Sequence, residues 1–330
     1  MKHDHSDFQS VLAGSIERFL AHKRALGRRF DVEEKTLHLL DRYLKKRHIR
    51  FVRAITPQFI DDFLASRSFR RSRSYNHLLC TIRRLFDWLV DQGSLPCSPV
   101  QARPRRQTDQ RIPFIFDIEA ARKLLEVARS FRNNSRAPMR AKTYYTIFAI
   151  LYGLGLRVGE VCRLTIQDVD LERRLLVIRE TKFYKSRLVP FGPRMESLLR
   201  DYIDAKMRRV GPFNESSPVF SFTQRGEVNP GTVTQTFHKM IIQIGYSVSP
   251  GHAQPRLHDL RHSFAVGTLL RWYRQGIDPG SGLLKLATFL GHVDATSTAV
   301  YLRITPDLLR EANRRFESFS SDVVTGRSLP

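Results

Sequence analysis

Cysteine, acidic side chains and long apolar runs are all scarce in this 330-residue chain, and each shortage closes off a class of protein. The three cysteines, Cys80, Cys97 and Cys162, are odd in number and lack metal-ligand spacing. They exclude a disulfide scaffold and a cysteine-based zinc module, and read as reduced thiols of a cytoplasmic protein. The longest apolar run, around Ile147–Leu156, is too short to cross a bilayer. The polar start MKHDHSDFQS reads as no secretory signal. No internal repeat is present. Acids number 32 against 55 lysines and arginines, a net charge of +23. An excess this large, spread along the chain, is more than solubility requires and points to a polyanionic partner, with nucleic acid as the default.

The hydrophobic content of 42% excludes a disordered tail, and the length allows two domains with their own cores. Residues 1–94 read as an all-helical domain. Leu12, Ile16, Phe19 and Leu20 mark a first helix that Gly27 can stop, and Leu37, Leu40 and Leu44 mark a second. Thr56 followed by Pro57 opens a third. Leu78, Leu79, Ile82, Leu85, Phe86, Leu89 and Val90 mark a fourth, ended by Gly93. Arg67, Arg70, Arg71 and Arg73 gather near that helix start, where the dipole disfavours cations. They read as a phosphate-contacting edge or, alternatively, as a solvated face. Residues 95–113 hold four prolines with Arg103, Arg105 and Arg106 among them, and form a basic extended linker able to lie along DNA.

From residue 114 the pattern is mixed. Asp117 caps a helix running to about Ser130, and Tyr144–Tyr152 is apolar nearly all round, as a buried central helix would be. Leu175–Arg179 and Arg187–Pro190 read as a hairpin, with Lys182 and Lys185 in its turn. Met195–Arg208, Val233–Ile244 and His258–Tyr273 read as helices, and Val219–Phe222 as a short strand. The segment RWYRQGIDPGSGLL reads as a long connection. A last helix opens at Thr305 and Pro306, with Leu308, Leu309, Ala312, Phe316 and Phe319 along one stripe.

Four motifs then carry chemistry. They are GLGLRVGEVCRL with Arg157 and Glu160, the lysine hairpin running into RLVP, RLHDLRHSFA with His258 and Arg261, and LGHVDATSTAVYLRI with His292 and Tyr301. One phenol, several permanent cations and two imidazoles suit attack on a phosphodiester without a metal: the phenol is the nucleophile and the cations absorb charge growing on the phosphoryl oxygens. His258 and His262 stand one turn apart, as metal ligands can. Yet Asp259 occupies the place where a zinc protease carries glutamate, and Arg261 would repel a cation, so no metal and no cofactor is expected.

In order and spacing these motifs resemble the tyrosine recombinase (phage integrase) family, over residues 114 to about 320. The resemblance implies a mainly α fold with a small β-sheet: an N-terminal helical core-binding domain (1–94), the linker (95–113) and an α+β catalytic domain with a C-terminal docking helix (114–330). It implies that Arg157 and Arg261 grip the scissile phosphate, that His258 donates to it or exchanges protons with it, that His292 donates a further hydrogen bond, and that Lys182 protonates the leaving 5′-oxygen. Tyr301 would form a 3′-phosphotyrosyl link, and Glu160 would orient its neighbours. Glu160 also reads simply as an ion-pair partner of Arg157, and both readings can hold. The implied partners are double-stranded DNA, a homotetramer on two DNA sites, and an accessory recombinase or DNA-bending protein. Departures are visible. Thr181 and Phe183 flank Lys182 where the family usually carries glycine, so Lys185 or Arg187 competes for the phosphate. The final helix docks either on a neighbouring protomer or on its own core. Two other functions stay open: a type IB topoisomerase with the same chemistry, and a DNA-binding regulator on the same scaffold.

Overall fold

The computed structural model describes residues 8–67, 69, 72–106, 113–179, 186–223, 226–246, 254–277 and 279–292. Lys182, Lys185, Arg70, Arg71, Tyr301 and the expected C-terminal helix lie outside them. The chain divides into two units, Met1–Gln110 and Arg111–Pro330.

Among the described residues the N-terminal unit has four α-helices: α1 (Ala13–Ala25), α2 (Asp31–Lys46), α3 (Pro57–Ala65) and α4 (Ser72–Asp91). Each buries the stripe its sequence spacing marks. Ile16, Phe19, Leu37, Leu40, Ile60, Phe63, Ile82, Leu85 and Phe86 are fully enclosed. Thr56 Oγ1 accepts from the Phe59 amide at 3.2 Å and Pro57 fills the first helical position, so α3 starts where the sequence places it. Gly27 and Gly93 follow α1 and α4 at φ 75° and 69°, the left-handed region that glycine enters without a Cβ clash. Residues 95–106 have no regular structure but belong to this unit. Val100 is buried, Arg83 donates to the Ala102 carbonyl at 2.5 Å, and the Arg105 guanidinium lies 4.0 Å from the Tyr75 ring centre.

The second unit comprises α5 (Ile118–Arg129), α6 (Arg140–Gly153), α7 (Val158–Cys162), α8 (Pro193–Val210), α9 (Pro230–Gln243), α10 (Asp259–Arg274) and α11 (Pro279–Leu290). A three-stranded antiparallel sheet stands beside them in the order β1 (Val169–Asp170), β2 (Leu175–Ile178), β3 (Arg187–Pro190). Helix α6 is the core: Ile147, Phe148 and Ile150 are completely buried, which explains its apolar circumference. The β2–β3 register pairs Leu176 with Val189 and Ile178 with Arg187. It turns Leu176 and Val189 into the core and sets Arg187 at the mouth of the hairpin.

Three expectations need correction. Val219–Phe222 is not a strand; a single bridge joins Pro218 to Thr165, and Val219 donates to the Leu164 carbonyl at 2.7 Å. The Lys206 ammonium takes the carbonyls of Pro218 and Val219, so a side chain replaces the missing strand partner. The segment after α10 is not one long loop. Gly276 (φ 80°) stops α10, and the chain re-enters a helix, α11, which packs Leu286 and Leu290 against Ala265, Val266 and Leu269. Finally, β1 adds a third strand to the expected pair. Among the described residues, no helix is long and apolar enough to cross a membrane.

Candidate active site

The functional motifs meet where three chain segments converge: the turn from α6 into α7, the start of α10 and the end of α11. Arg157 is the N-cap residue of α7, and Glu160 stands three residues on. The Glu160 carboxylate accepts the Arg157 amide at 2.9 Å and its guanidinium at 2.8 Å. The same carboxylate receives Arg187 of β3 as a two-pronged pair, at 3.0 and 2.8 Å. Burial alone would raise the Glu160 carboxyl, but the Arg187 fork, followed by Arg157, overrides it and holds the group down at about 2. Glu160 is therefore a permanent anion between two permanent cations. One of them, Arg157, keeps 35% of its side chain exposed and faces the site; the other, Arg187, keeps 10%.

Four further guanidinium contacts, from three arginines, stitch the segments together. Arg157 Nη2 donates to the Gly291 carbonyl at 3.1 Å. Arg261, only 1% exposed, donates through Nη1 to the Gly155 carbonyl at 2.8 Å and through Nη2 to the Leu290 carbonyl at 2.5 Å. Arg187 Nε donates to the Phe289 carbonyl at 2.9 Å. The carbonyls of residues 289, 290 and 291 are thus each held by a different arginine, and His292 follows directly. Gly291 is required there twice over: its φ is 67°, and a Cβ would lie 2.7 Å from Arg187 Nη1.

The imidazoles sit among these cations. His258 is the N-cap residue of α10, and its ring meets the edge of His262 at 4.8 Å between centres. All three histidines, His258, His262 and His292, are pushed down to about 4. Burial is the first cause in each case. Next come His262, Arg261 and Arg157 for His258, then Arg256 and Arg261 for His262, and Arg261 and Arg157 for His292. At neutral pH each ring is uncharged and offers one N–H and one lone pair. Asp259, fully buried, accepts the Arg256 amide at 2.8 Å and its guanidinium at 3.3 Å, which fixes the first turn of α10.

The sequence-predicted residues therefore separate. Arg157, Glu160, His258, Arg261 and His292 come together. Arg187, expected at a DNA phosphate, is drawn inward onto Glu160 because a buried carboxylate needs a second cation. Lys182, Lys185 and Tyr301 fall outside the described residues. In the N-terminal unit Arg67 turns back onto the Leu39 carbonyl at 3.4 Å, and Arg105 onto Tyr75 and the Phe69 carbonyl, whereas Arg73, Arg103 and Arg106 are exposed. Sequence reasoning missed the ring contact of His262 with His258, although their one-turn spacing on α10 was visible. It also missed the Glu160–Arg187 pair, 27 residues apart, for which no local signal exists. Among the described residues no cluster of three or more histidine, cysteine or acidic side chains could hold a metal.

Comparison with known proteins fits this arrangement. Residues 116–307 match the model of the phage integrase family. The chain is 30% identical to y4rE of Sinorhizobium fredii, named as an integrase/recombinase, over 93% of this chain and 96% of that one. It is 28% identical to the tyrosine recombinase XerC of Pelobacter propionicus, over 73% and 72% of the two chains. In fold it is similar to the Tn1549 transposon integrase solved with transposon right end DNA, with a TM-score of 0.66 at 14% identity over 94% of this chain and 100% of that one. The buried arginine–glutamate–arginine centre and the family match over more than half its length lead to one conclusion: the chain belongs to the phage integrase, or tyrosine recombinase, family.

Proposed function

We propose that this site-specific recombinase cuts and rejoins double-stranded DNA through a covalent bond to Tyr301. One observation carries the reading: Arg157 and Arg261 clasp the carbonyls of Gly155, Leu290 and Gly291 across three chain segments, and the uncharged rings of His258, His262 and His292 lie within the field of these guanidinium groups. Uncharged imidazoles donate single hydrogen bonds without adding charge, and the guanidinium groups supply permanent charge. That set suits a phosphoryl group whose oxygens gain charge in the transition state.

In this reading Arg157 receives the scissile phosphate with its exposed face. Arg261 supplies a second fixed charge beneath it and holds the segments on either side. His258 and His292 each donate to a phosphoryl oxygen. The Tyr301 oxygen attacks phosphorus and loses its proton to solvent; a Tyr301 O–P bond forms and the P–O5′ bond breaks. Lys182 gives its proton to the leaving 5′-oxygen, with Lys185 the competing donor. A 5′-hydroxyl from a second strand then reverses the step and frees the tyrosine, so no energy source is needed. Glu160 acts by holding Arg157 in position. The exposed Arg73, Arg103 and Arg106 add phosphate contacts in the N-terminal unit, and four protomers on two DNA sites complete an exchange.

The test is a covalent trap. Nicked duplexes tiled across the ends of the locus encoding the protein are incubated with it in EDTA, then denatured. An adduct formed by the wild type and absent with Tyr301→Phe, which keeps its DNA affinity, is the expected result. An adduct that survives Tyr301→Phe sinks the assignment of the nucleophile.

A further inference from the structure

His258 serves the scissile phosphate in the reading above, yet little in the protein holds its ring. The backbone is fixed. Leu257 and Asp259 on either side are buried, and the His258 carbonyl accepts the amides of Arg261 and His262 at 3.1 and 3.3 Å. The side chain is exposed and makes no capping hydrogen bond to α10. Among the described residues its ring makes no hydrogen bond, and the one ring it meets is that of His262, 4.8 Å away between centres and turned by 86°. An imidazole that keeps both nitrogens for a phosphoryl oxygen cannot be steered by hydrogen bonds to the protein, so packing has to steer it.

His262 is placed to do so. It stands four residues on, where side chains share one face of a helix, and it is half-buried and so less free than His258. A near-perpendicular contact is a favoured one for two aromatic rings, because the positive edge of one meets the negative face of the other. Both rings are carried by the first turns of α10, so the contact does not depend on the other segments of the site. The charged and titratable groups that face the pair are Arg157, Arg256, Asp259, Arg261 and His292. Arg256 is matched by Asp259 and Arg157 by Glu160. With both rings pushed down to about 4, the pair stays uncharged at neutral pH and no repulsion between imidazoliums opens the contact.

We infer that His262 is a positioning residue of the cleavage reaction: its ring sets the plane of the His258 ring against the scissile phosphate, and it acts on the rate only through His258. The inference rests on the DNA-cleaving reading above. A ring left to turn about its own side-chain bonds spends part of its time in orientations that cannot donate to the phosphate, and a ring walled on one side does not.

The test uses the full-length protein and the nicked duplex that yields the wild-type adduct, with DNA affinity and the rate of adduct formation at saturating DNA measured separately. His262→Ala should slow adduct formation by about ten- to a hundredfold, the scale on which a misplaced catalytic group is felt, and leave affinity unchanged. His262→Phe, which returns a ring to the same face, should recover most of that rate. The decisive comparison is made in a His258→Ala background, where His262→Ala should add nothing, because the ring it orients is gone. A penalty of the same size in both backgrounds overturns the inference and makes His262 an independent participant. A His262→Phe variant as slow as His262→Ala overturns it too, since a ring is then not what His262 supplies. Affinity and Tm that fall together with the rate reduce His262 to core packing. A wild-type protein that forms no adduct on any duplex overturns the functional reading, and this inference with it.

Discussion

The two units bury charge differently. Among its described residues the N-terminal unit encloses two acids, and both serve the backbone or a surface arginine. Asp41 accepts the amides of Gln9 and Ser10, and Glu34 pairs with Arg24, whose side chain is 43% exposed. The second unit encloses Glu160, Asp168, Lys206, Asp259 and Arg261, with Arg187 nearly so. Several of these meet in one corner, where α7, α10, β3 and the end of α11 come together. Taking charges out of water costs several kcal/mol each unless partners replace the lost hydration. A fold that needed only stability would not gather them. The comparison teaches that the second unit gives up stability to hold a cationic surface in a fixed shape, whereas the first does not.

Substitutions can break that comparison. The largest effect is expected for Glu160→Gln, which strands Arg187 and Arg157 side by side: a loss of about 3–5 kcal/mol by denaturant unfolding. The matching Glu34→Gln in the N-terminal unit should cost under about 1 kcal/mol, because Arg24 remains hydrated. Equal losses would end the distinction. Next comes Gly291→Ala. The left-handed backbone alone costs about 1–2 kcal/mol, as it should for Gly93→Ala, where a Cβ meets open space. At Gly291 the added methyl also drives into Arg187, so the loss should clearly exceed that of Gly93→Ala in the same melts.

Acid should sharpen the contrast. The folded-state values of His258, His262 and His292 lie at about 4, below the ordinary 6.5. The unfolded chain therefore binds protons first as pH falls. Their neutral-state stability is complete above 6.5 and is lost progressively between 6.5 and 4, at no more than about 1.4 kcal/mol per pH unit for each ring and less for the exposed His258. Glu160, held at about 2 against an ordinary 4.5, adds a further loss only below 4.5. Urea midpoints from pH 7.5 to 5 should fall, and His262→Asn should flatten that fall. The smallest effect is Arg105→Ala: removing the guanidinium from Tyr75 should cost about 0.5–1 kcal/mol, seen as a slight drop in Tm.

Much of the fold was legible because its rules are local. The stripes of α1 to α4, the Thr56 and Asp117 caps and the stops at Gly27 and Gly93 depend on residues within one or two turns. The α11 helix was not legible, because glycine and proline in IDPGSGLL signal a loop and only the docking of Leu286 and Leu290 on α10 overrides them. Val219–Phe222 misled in the opposite way: its apolar run matches a strand, but Lys206 takes the carbonyls a neighbouring strand would have used.

The motifs Arg157, His258, Arg261 and His292 stood in the sequence by type and order, and so did the basic excess that calls for a polyanion. Chain chemistry and spacing determined those. Tertiary structure alone decided which arginine faces outward. Arg157 and Arg187 look alike as residues, yet Glu160 is one buried anion with two oxygens, and β3 enters from the enclosed side. One guanidinium becomes its support and the other the exposed cation of the site, a choice set by which segment reaches the carboxylate from within.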